Sequence, residues 1–458
     1  MYKILSIQGM QWGDEGKGKI TEFYSQKADI VVRSNGGNNA GHSVVRNGTR
    51  YSLQLLPSGI FNPKAINVIA DGTVVSLSGI LEEIERLEKQ NITNFTLYIS
   101  TRAALVMPYH QQLDKAKEVV LGKAKIGTTG KGIGPCYADK AARLGIRIGN
   151  LFDKKKKKKR LEEVLPIKNI ELKAFGIEEY DVEKTLTYLL DLTDKLLKKA
   201  KIIDTSNFLY ESIKQGKKIL FEGAQGAMLS IDFGTYPYVT SSCALASAIP
   251  VNSGIPAESI KSDSIVGILK AYTTRVGEGP FPSEILDERC NLIREKGHEY
   301  GTVTGRPRRI GWLDLAQVNF VVKISGVKHF ALMLTDVLSV VDEINICTGY
   351  EIDGKVIDYY PANLSELYKV KPVFVTMKNW KEDISKIKKF EDLPKECQDY
   401  IFTIEKLTGG KVSLVSVGPD KTETIVREDT GRIAGVISPE SDAVALGDIE
   451  GCAVCRRG

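Results

Sequence analysis

Short apolar runs that end in glycine or polar residues recur along the chain. Each run is long enough for one strand, and the residues after it are typical of loops. A chain that repeats this unit with helical stretches in between is predicted to form an α/β fold, with a mostly parallel central sheet flanked by helices. The runs lie at residues 2–7, 29–33, 218–221, 329–334 and 412–415.

Apolar residues spaced by three and four positions separate some of these runs. Ile80, Ile84 and Leu87 follow this spacing, and so do the apolar positions between residues 186 and 197. Such spacing places apolar side chains on one face of a helix. We expect helices in both regions, and we interpret residues 154–203, which are rich in lysine, as an inserted helical lobe.

Polar or Gly-rich loops follow all five apolar runs. In open parallel sheets, ligands bind where loops leave the carboxyl ends of the strands. The pattern therefore predicts one composite site, built from several loops at one edge of the sheet.

Composition excludes several classes of protein. The chain has 458 residues, 42% hydrophobic and 26% charged, which is ordinary for a globular protein. It has neither an apolar run that could span a bilayer nor a cationic and apolar leader, so we expect a soluble cytoplasmic protein. The net charge of +6 equals the six lysines at 154–159, which we interpret as a solvated surface segment rather than a nucleic-acid site.

Seven cysteines are scattered along the chain, and an odd, scattered set suits a reducing compartment better than a disulfide framework. Only Cys452 and Cys455 form a C-x-x-C pair. They have no second pair and no nearby histidine, so we interpret them as two thiols on a mobile tail rather than as a zinc or redox site.

The first loop, residues 9–19, reads GMQWGDEGKGK. Gly13, Gly18 and Lys19 have the spacing G-x-x-x-x-G-K, with which backbone N–H groups and a lysine bind phosphates at a helix N-terminus. Ile20 stands where that motif has a Ser or Thr ligand of Mg²⁺. Taken alone, the pattern fits a phosphate-binding loop and a generic strand-to-helix turn equally well.

Asp14 changes this balance, because its carboxylate can supply the metal ligand that Ile20 lacks. Mg²⁺ would also offset the repulsion between a carboxylate and a phosphate. Three roles are open for Asp14: a metal ligand, a base, or a charge that stabilises the helix start.

The second loop, residues 36–42, reads GGNNAGH and contains one of only four histidines. A histidine in a Gly-rich loop that leaves a strand has no core face to fill. We therefore favour a catalytic or phosphate-contacting role for His42 over a structural one.

Together these two loops resemble the adenylosuccinate synthetase family. Further motifs agree with that family in the same order, at residues 126–135, 221–226, 234–242, 276–282, 304–309 and 418–424. The resemblance runs from about residue 2 to residue 427. It implies a single P-loop-NTPase-like catalytic domain over residues 1–427 with inserted helical and small β lobes. Residues 428–458 extend past the usual family end and receive no role from it.

The reaction that the resemblance implies is the GTP-dependent ligation of IMP and L-aspartate to adenylosuccinate, with release of GDP and phosphate, in AMP biosynthesis. GTP first phosphorylates the 6-oxygen of IMP, and the amino group of aspartate then displaces phosphate. By resemblance, Asp14 takes the proton from N1 of IMP and binds Mg²⁺ together with the carbonyl of Gly41. His42 stabilises the transferring phosphoryl group and acts as a general acid.

The resemblance also implies three sets of binding residues. The GTP set is Gly13, Glu15, Gly16, Lys17, Gly18, Lys19, Gly41, His42, Ser43, Arg308, Leu334, Thr335, Asp336, Ser416, Val417 and Gly418. The IMP set is Asp14, Glu15, Gly16, Lys17, Asn39, Ala40, Gly41, His42, Thr129, Arg143, Gln225, Thr240 and Arg306. The L-aspartate set is Thr302, Val303, Thr304, Gly305, Arg306, Pro307 and Arg308.

Arg143 matches a residue that reaches the nucleotide of a neighbouring subunit, which implies a homodimer. The guanine site departs from the family pattern. Members commonly carry a lysine where this chain has Leu334, although Asp336, able to accept hydrogen bonds from guanine, is retained. The resemblance therefore supports the reaction more strongly than the choice of GTP.

Two other functions stay open at this point. One is a ligase of the same fold that acts on another purine nucleotide, such as a guanylate, although the retained Asp14 argues against it. The other is a nucleotide switch or nucleic-acid-binding module that uses the phosphate loop and the lysine block.

Overall fold

The computed structural model describes residues 4–46, 48–301 and 305–427. Thr302, Val303, Thr304 and the C-terminal extension with Cys452 and Cys455 lie outside these ranges. The strands of the described part are β1 (Ile4–Gly9), β2 (Ile30–Arg33), β3 (His42–Arg46), β4 (Thr49–Leu53), β5 (Ile66–Ile69), β6 (Val74–Val75), β7 (Thr96–Ser100), β8 (Ala104–Leu105), β9 (Lys201–Ile203), β10 (Ile219–Gly226), β11 (Ile265–Lys270), β12 (Thr273–Arg275), β13 (Arg309–Gly311), β14 (Leu313–Asp314), β15 (His329–Met333), β16 (Glu343–Ile352), β17 (Lys355–Ile357), β18 (Lys371–Lys378), β19 (Lys411–Ser416) and β20 (Thr424–Val426).

Helices alternate with these strands, as the spacing of apolar residues predicts. No helix of the described ranges is both long and apolar enough to cross a membrane. The helices are α1 (Lys17–Ser25), α2 (Leu77–Lys89), α3 (Pro108–Leu121), α4 (Ile133–Ala141), α5 (Lys154–Ala174), α6 (Val182–Leu197), α7 (Thr205–Lys214), α8 (Ile249–Ser253), α9 (Arg289–Gly297), α10 (Leu315–Ser325), α11 (Leu364–Leu367) and α12 (Lys395–Thr408).

Ten strands form the central sheet in the order β20-β19-β15-β11-β1-β10-β2-β5-β7-β9. Every neighbouring pair is parallel except β19 and β20. The predicted α/β class with a mostly parallel sheet is confirmed, and each of the five apolar runs forms a strand of it. The sequence did not predict β11, which lies between β1 and β15.

Strand β1 shows why the sheet is covered on both faces. All six of its residues are buried. Leu5 and Ile7 pack in one core with Ile20 and Tyr24 of α1, whereas Ile4 packs in the larger core on the opposite face. Successive side chains of a strand point to opposite faces, so a strand with apolar residues on both faces needs a layer on each side.

Two parts of the lysine-rich region differ from the predictions. The stretch interpreted as a helical lobe ends earlier, because β9 pairs with β7 at the edge of the central sheet. The lysine block is not wholly solvated, since it forms the start of α5 and the side chain of Lys157 is only 1% exposed. Asp153 caps this helix by accepting from the N–H groups of Lys155 and Lys156, which offsets the crowding of like charges there.

A second, smaller sheet lies beside the central one. Its longest strand, β16, pairs with β18 and β17 in antiparallel fashion and with the short β14 in parallel. Asp314, at the end of β14, caps α10 by accepting from the N–H of Gln317 at 3.1 Å.

Candidate active site

Glu15 organises the first loop from the inside. Its side chain is fully buried, and Oε1 accepts from the backbone N–H groups of Gln11 and Gly13, both at 3.0 Å. Its Oε2 lies 2.5 Å from Nζ of Lys17. Both oxygens of Glu15 are therefore used within the loop. The other carboxylate of the loop, Asp14, faces outward with 31% of its side chain exposed.

Helix α1 begins at Lys17, within this loop, and no side chain caps it. Its N-cap residue, Gly16, has a φ of 90°, a conformation that favours glycine. The uncapped N–H groups and the positive end of the helix favour an anion at this position. A side-chain carbon at Gly18 would lie 2.8 Å from the carbonyl oxygen of Ser43 and 3.5 Å from Cδ2 of His42. Glycine at this position therefore lets β3 approach α1 closely, and His42 lies beside the first loop.

Asp14 forms an ion pair with Arg308. Nε of Arg308 lies 2.9 Å from Oδ2 of Asp14, although the two are not aligned as a hydrogen bond. Nη1 of Arg308 donates to Oε2 of Glu299 at 2.5 Å. Burial alone would lower the pKa of Arg308, but the charges of Asp14 and Glu299 outweigh it and raise that pKa. One guanidinium thus joins the first loop to the segment that carries the arginines predicted to bind aspartate.

His42, the first residue of β3, lies in a buried group of charges. Its Nδ1 is 3.4 Å from Nη1 of Arg33, and its Nε2 is 3.2 Å from Oε1 of Glu222, without hydrogen-bond alignment. Burial lowers the pKa of His42 well below its ordinary value, and the charges of Arg33 and Lys17 lower it further. Arginine only donates, so Nδ1 accepts and the proton of the neutral ring lies on Nε2.

Glu222 holds this group in place. It accepts from the N–H of Ser58 at 2.7 Å and from its hydroxyl at 3.1 Å. It faces Arg33 in the register of β10 and β2, with Nη1 of Arg33 at 3.6 Å. Burial raises the pKa of Glu222, although Arg33 and Ser58 act in the opposite direction. The pairing across the sheet therefore brings a carboxylate to the histidine.

Lys19 points toward the segment after β19. Its Nζ donates to Oγ of Ser416 at 2.8 Å and to the carbonyl oxygens of Gly418 and Glu423 at 2.7 and 3.0 Å. Burial lowers its pKa to about 8, although the charges of Asp336 and Glu423 counteract this. Lys19 thus connects the first loop to Ser416 and Gly418, which the resemblance assigns to the GTP site.

The end of β15 completes this side of the site. Leu334 has a φ of 57°, and a side-chain carbon at Gly16 would lie 3.8 Å from its Cδ1. Asp336 follows in a 3₁₀ turn, Thr335–Val340. Burial raises the pKa of Asp336, whereas the charges of Lys19 and Lys296 lower it. The predicted base-side residues of β15 and β19 therefore lie next to the first loop.

Several buried polar atoms without hydrogen-bond partners in the described residues lie on the loops predicted to bind nucleotide. Such atoms favour a polar ligand, because a buried polar group without a partner is costly. They include Asn38 Oδ1, Ser43 Oγ, Gln225 Oε1 and Thr240 Oγ1. Gln225 also has a φ of 56°, a strained backbone conformation of the kind that clusters at functional sites.

Five predicted residues occupy exposed positions rather than this buried group: Thr129, Arg143, Gly305, Arg306 and Pro307. Arg143 follows α4 with a φ of 65°, and its carbonyl oxygen accepts from Nη2 of Arg160 at 2.8 Å. The side chain of Arg143 is thus presented at the surface of the chain.

Four charged residues in or next to this site were not predicted from the sequence: Arg33, Glu222, Glu299 and Lys270, whose Nζ lies 2.8 Å from Oε1 of Glu299. A signal existed for three of them. Arg33 and Lys270 end buried strands, and Glu222 follows an apolar run within one. Charged residues at the carboxyl ends of parallel strands are candidates for a site. Glu299 carries no comparable signal, because only folding brings it to Arg308.

Comparison with known proteins gives a consistent result. The model of the adenylosuccinate synthetase family matches residues 6–425. The chain is 48% identical over 426 residues to the adenylosuccinate synthetase of Thermoanaerobacter sp. (strain X514), covering 93% of this chain and 99% of that protein. It is 46% identical over 429 residues to that of Clostridioides difficile (strain 630), covering 93% and 99%.

Solved structures show the same similarity. The fully ligated adenylosuccinate synthetase from Plasmodium falciparum superimposes with a TM-score of 0.87 at 38% identity, covering 93% of this chain and all of that one. The succinoaminodeoxyadenylate synthetase of cyanophage S-2L, bound to dGMP and dATP, shares the fold with a TM-score of 0.60 at 20% identity, covering 95% and 97%.

Proposed function

The chain belongs to the adenylosuccinate synthetase family, and on this premise we propose that it joins IMP and L-aspartate with GTP as the energy donor. It is a ligase of purine and AMP biosynthesis. One observation links the proposed reaction to individual residues. The ion pair of Arg308 and Asp14 joins the loop proposed to activate IMP to the segment proposed to hold aspartate.

Asp14 is the proposed base. Its carboxylate is partly exposed in the middle of the first loop, whereas the neighbouring Glu15 is buried and used within the loop. A carboxylate at this position can take the proton from N1 of IMP, which leaves the 6-oxygen a better nucleophile toward the γ-phosphate of GTP. The guanidinium of Arg308 lies beside this carboxylate, with Nε 2.9 Å from Oδ2.

His42 is proposed to stabilise the transferring phosphoryl group and to act as a general acid. The ring is neutral, with its proton on Nε2, and it lies beside the N-terminus of α1. A fixed N–H donor can stabilise charge that develops on a phosphoryl oxygen. The general-acid step requires the imidazolium form of the ring, which the negative charge of bound phosphates favours, and release of its proton returns the ring to the neutral form. Glu222 and Arg33 on either side of the ring fix its orientation.

Mg²⁺ is the proposed cofactor, held by the carboxylate of Asp14 and the carbonyl of Gly41. No group of three or more His, Cys, Asp or Glu side chains in the described ranges is arranged to hold a metal. This donor set fits Mg²⁺, which is usually bound by one or two carboxylates, waters and substrate phosphates. When bound, the ion would neutralise phosphate charge beside Asp14.

The proposed GTP site extends from the first loop to the ends of β15 and β19. Its support is the contact of Lys19 with Ser416 and Gly418, which holds the two ends of the site together. The phosphate side comprises Gly13, Glu15, Gly16, Lys17, Gly18, Lys19, Gly41, His42, Ser43 and Arg308. The base side comprises Leu334, Thr335, Asp336, Ser416, Val417 and Gly418.

IMP is proposed to bind across the first, second and β10 loops of one subunit, with Arg143 contributed by a second copy of the chain. The exposed position of Arg143 supports this homodimer. The remaining proposed contacts are Asp14, Glu15, Gly16, Lys17, Asn39, Ala40, Gly41, His42, Thr129, Gln225, Thr240 and Arg306.

L-Aspartate is proposed to bind to residues 302–308, of which Gly305, Arg306, Pro307 and Arg308 are described. Arginine suits this ligand because a guanidinium pairs with a carboxylate through two parallel hydrogen bonds. The cytoplasm is the proposed location, since five cysteines of the described residues, Cys136, Cys243, Cys290, Cys347 and Cys397, are free thiols.

Incubation of the purified protein with Mg²⁺, L-aspartate and either IMP or GMP tests the reaction. We expect adenylosuccinate and one phosphate per product from IMP and GTP, and no turnover without aspartate. Parallel assays with ATP and ITP test the base site, where Leu334 replaces the family lysine. Phosphate release that needs neither IMP nor aspartate would contradict the proposal.

A further inference from the structure

We propose that Glu299 is a positioning residue of this enzyme: it holds the guanidinium of Arg308 beside Asp14 and thereby determines the affinity for L-aspartate and GTP. The inference rests on the proposed function, because the assignment of Arg308 to these two ligands comes from the resemblance. None of the three proposed binding sets includes Glu299.

The carboxylate of Glu299 is fully occupied inside the protein. The side chain is 1% exposed. Oε1 accepts from Nζ of Lys270 at 2.8 Å and from the hydroxyl of Tyr272 at 2.5 Å, while Oε2 accepts from Nη1 of Arg308 at 2.5 Å. Such charge-assisted hydrogen bonds, shielded from water, fix geometry more strongly than exposed ones.

The residues that hold Glu299 are themselves hydrogen-bonded to the first loop. Lys270 ends β11, and its backbone N–H donates to Oε1 of Gln11 at 2.9 Å. Nε2 of Gln11 in turn donates to the carbonyl oxygen of Tyr272 at 3.0 Å. Because Gln11 lies in the loop that carries Asp14, Glu299 is fixed relative to Asp14 through these contacts.

Arg308 depends on Glu299 at both its backbone and its side chain. Its N–H donates to the carbonyl oxygen of Glu299 at 2.9 Å. The guanidinium is about 10% exposed and bridges the two carboxylates, through Nη1 to Glu299 and through Nε to Asp14. A long arginine side chain has many conformations, so one anchored end greatly reduces the positions that its other nitrogens can occupy.

The negative charge of Glu299 is needed as well as its shape. Two cations, Lys270 and Arg308, meet at its oxygens. Burial alone raises the pKa of Glu299, but the charges of Lys270 and Arg308 outweigh it and lower that pKa. Glu299→Gln preserves the volume of the side chain and removes the charge, which leaves two buried cations facing an amide.

The experiment compares the full-length enzyme with Glu299→Gln, Arg308→Leu and the double variant. For Glu299→Gln we expect KM for L-aspartate and for GTP to rise about tenfold or more, with KM for IMP changed less than about twofold. Because Glu299 acts through Arg308, the double variant should show the KM values of Arg308→Leu alone. If Glu299 were purely structural, Glu299→Gln would raise KM for all three substrates, and its effect would multiply with that of Arg308→Leu in the double variant.

Glu405→Gln is the matched control. Glu405 is also buried and pairs with an arginine, Nη1 of Arg427, at 2.8 Å, but it lies in the interior of the α12 region. It should lower thermal stability without changing the KM values selectively. Tyr272→Phe removes one hydrogen bond to Glu299 and keeps the ring, so it should fold and raise the same two KM values by about two- to fivefold.

Unchanged KM values for aspartate and GTP in Glu299→Gln, or multiplying effects in the double variant, would overturn the positioning role. If Glu299→Gln does not fold, unchanged KM values in Tyr272→Phe would overturn it instead. If Arg308→Leu itself leaves both values unchanged, the proposed substrate site is wrong and the role of Glu299 falls with it. An effect of Arg308→Leu without one of Glu299→Gln rejects the inference alone.

Discussion

Nε of Arg308 lies 2.9 Å from Oδ2 of Asp14, so the carboxylate of the phosphate loop is paired with a cation from the opposite side of the site. This contact offsets part of the charge with which Asp14 would repel a phosphate bound beside the N-terminus of α1. The contact also places the group proposed to activate IMP next to a group proposed to hold aspartate.

The two carboxylates of the first loop should respond differently to substitution. Asp14→Asn should lower kcat by about a thousandfold and leave the melting temperature nearly unchanged, because Asp14 is partly exposed and acts on substrate. Glu15→Gln should destabilise the protein by about 1–3 kcal/mol, because Glu15 is buried and paired with Lys17. Steady-state kinetics and thermal unfolding of both variants check this. Substantial turnover by Asp14→Asn would remove it from the role of base.

Lys19 should make the use of GTP depend on pH. Burial lowers its pKa to about 8, so the free enzyme loses this charge as the pH rises through 8. Since a charged lysine favours phosphate binding, kcat/KM for GTP should be level below pH 8 and fall above it, approaching tenfold per unit. Lys19→Arg should abolish the fall, whatever its absolute rate, because arginine stays charged. A fall that persists unchanged in Lys19→Arg would assign it to another group.

Asp314 should make stability depend on pH. Burial raises its pKa to about 6, although the N–H of Gln317 and the hydroxyl of Tyr350 act against this. The folded protein therefore holds the proton more tightly than the unfolded chain. The stability this contributes is fully present below about pH 4 and is lost as the pH rises through 6, with a total of about 3 kcal/mol.

Asp314→Asn tests this, because asparagine still accepts from Gln317 but does not ionise. The difference in unfolding free energy between wild type and variant should change by about 2.5 kcal/mol between pH 4 and pH 7, in favour of the variant at the higher pH. Tyr350→Phe removes a hydrogen bond of 2.7 Å to Oδ2 and should move the fall to higher pH. Denaturant unfolding at several pH values measures both. Parallel curves for Asp314→Asn and wild type would contradict the prediction.

Arg143 should act across a dimer interface. Arg143→Leu should mainly raise KM for IMP, since the residue is exposed in its own chain and is proposed to complete the site of its partner. Mixing it with Asp14→Asn should restore activity, because a mixed dimer contains one site with both native residues. At an IMP concentration that saturates wild type but lies far below the KM of Arg143→Leu, random mixing should restore about a quarter of wild-type activity, since half the dimers are mixed and one of their two sites is intact. Activity that stays at the level of the separate variants would argue against a shared site.

The sequence by itself determined the features that depend on neighbours along the chain. Apolar runs and three-and-four spacing predicted the strands and helices, such as β1 and α2, because periodicity follows from backbone geometry. The Gly-rich loops and the order of the motifs identified the family and placed Asp14 and His42 in the candidate site.

Only the tertiary structure decided which distant charges meet. The register of β10 and β2 pairs Glu222 with Arg33 beside His42, and the order of the strands brings Ser416, at the end of β19, within hydrogen-bond distance of Lys19 in α1. Lys157 is buried, although the sequence predicts a solvated surface segment for the lysine block that contains it. The physical reason is the same in each case: contacts between residues far apart in the chain are fixed by strand order and packing, and local pattern does not encode them.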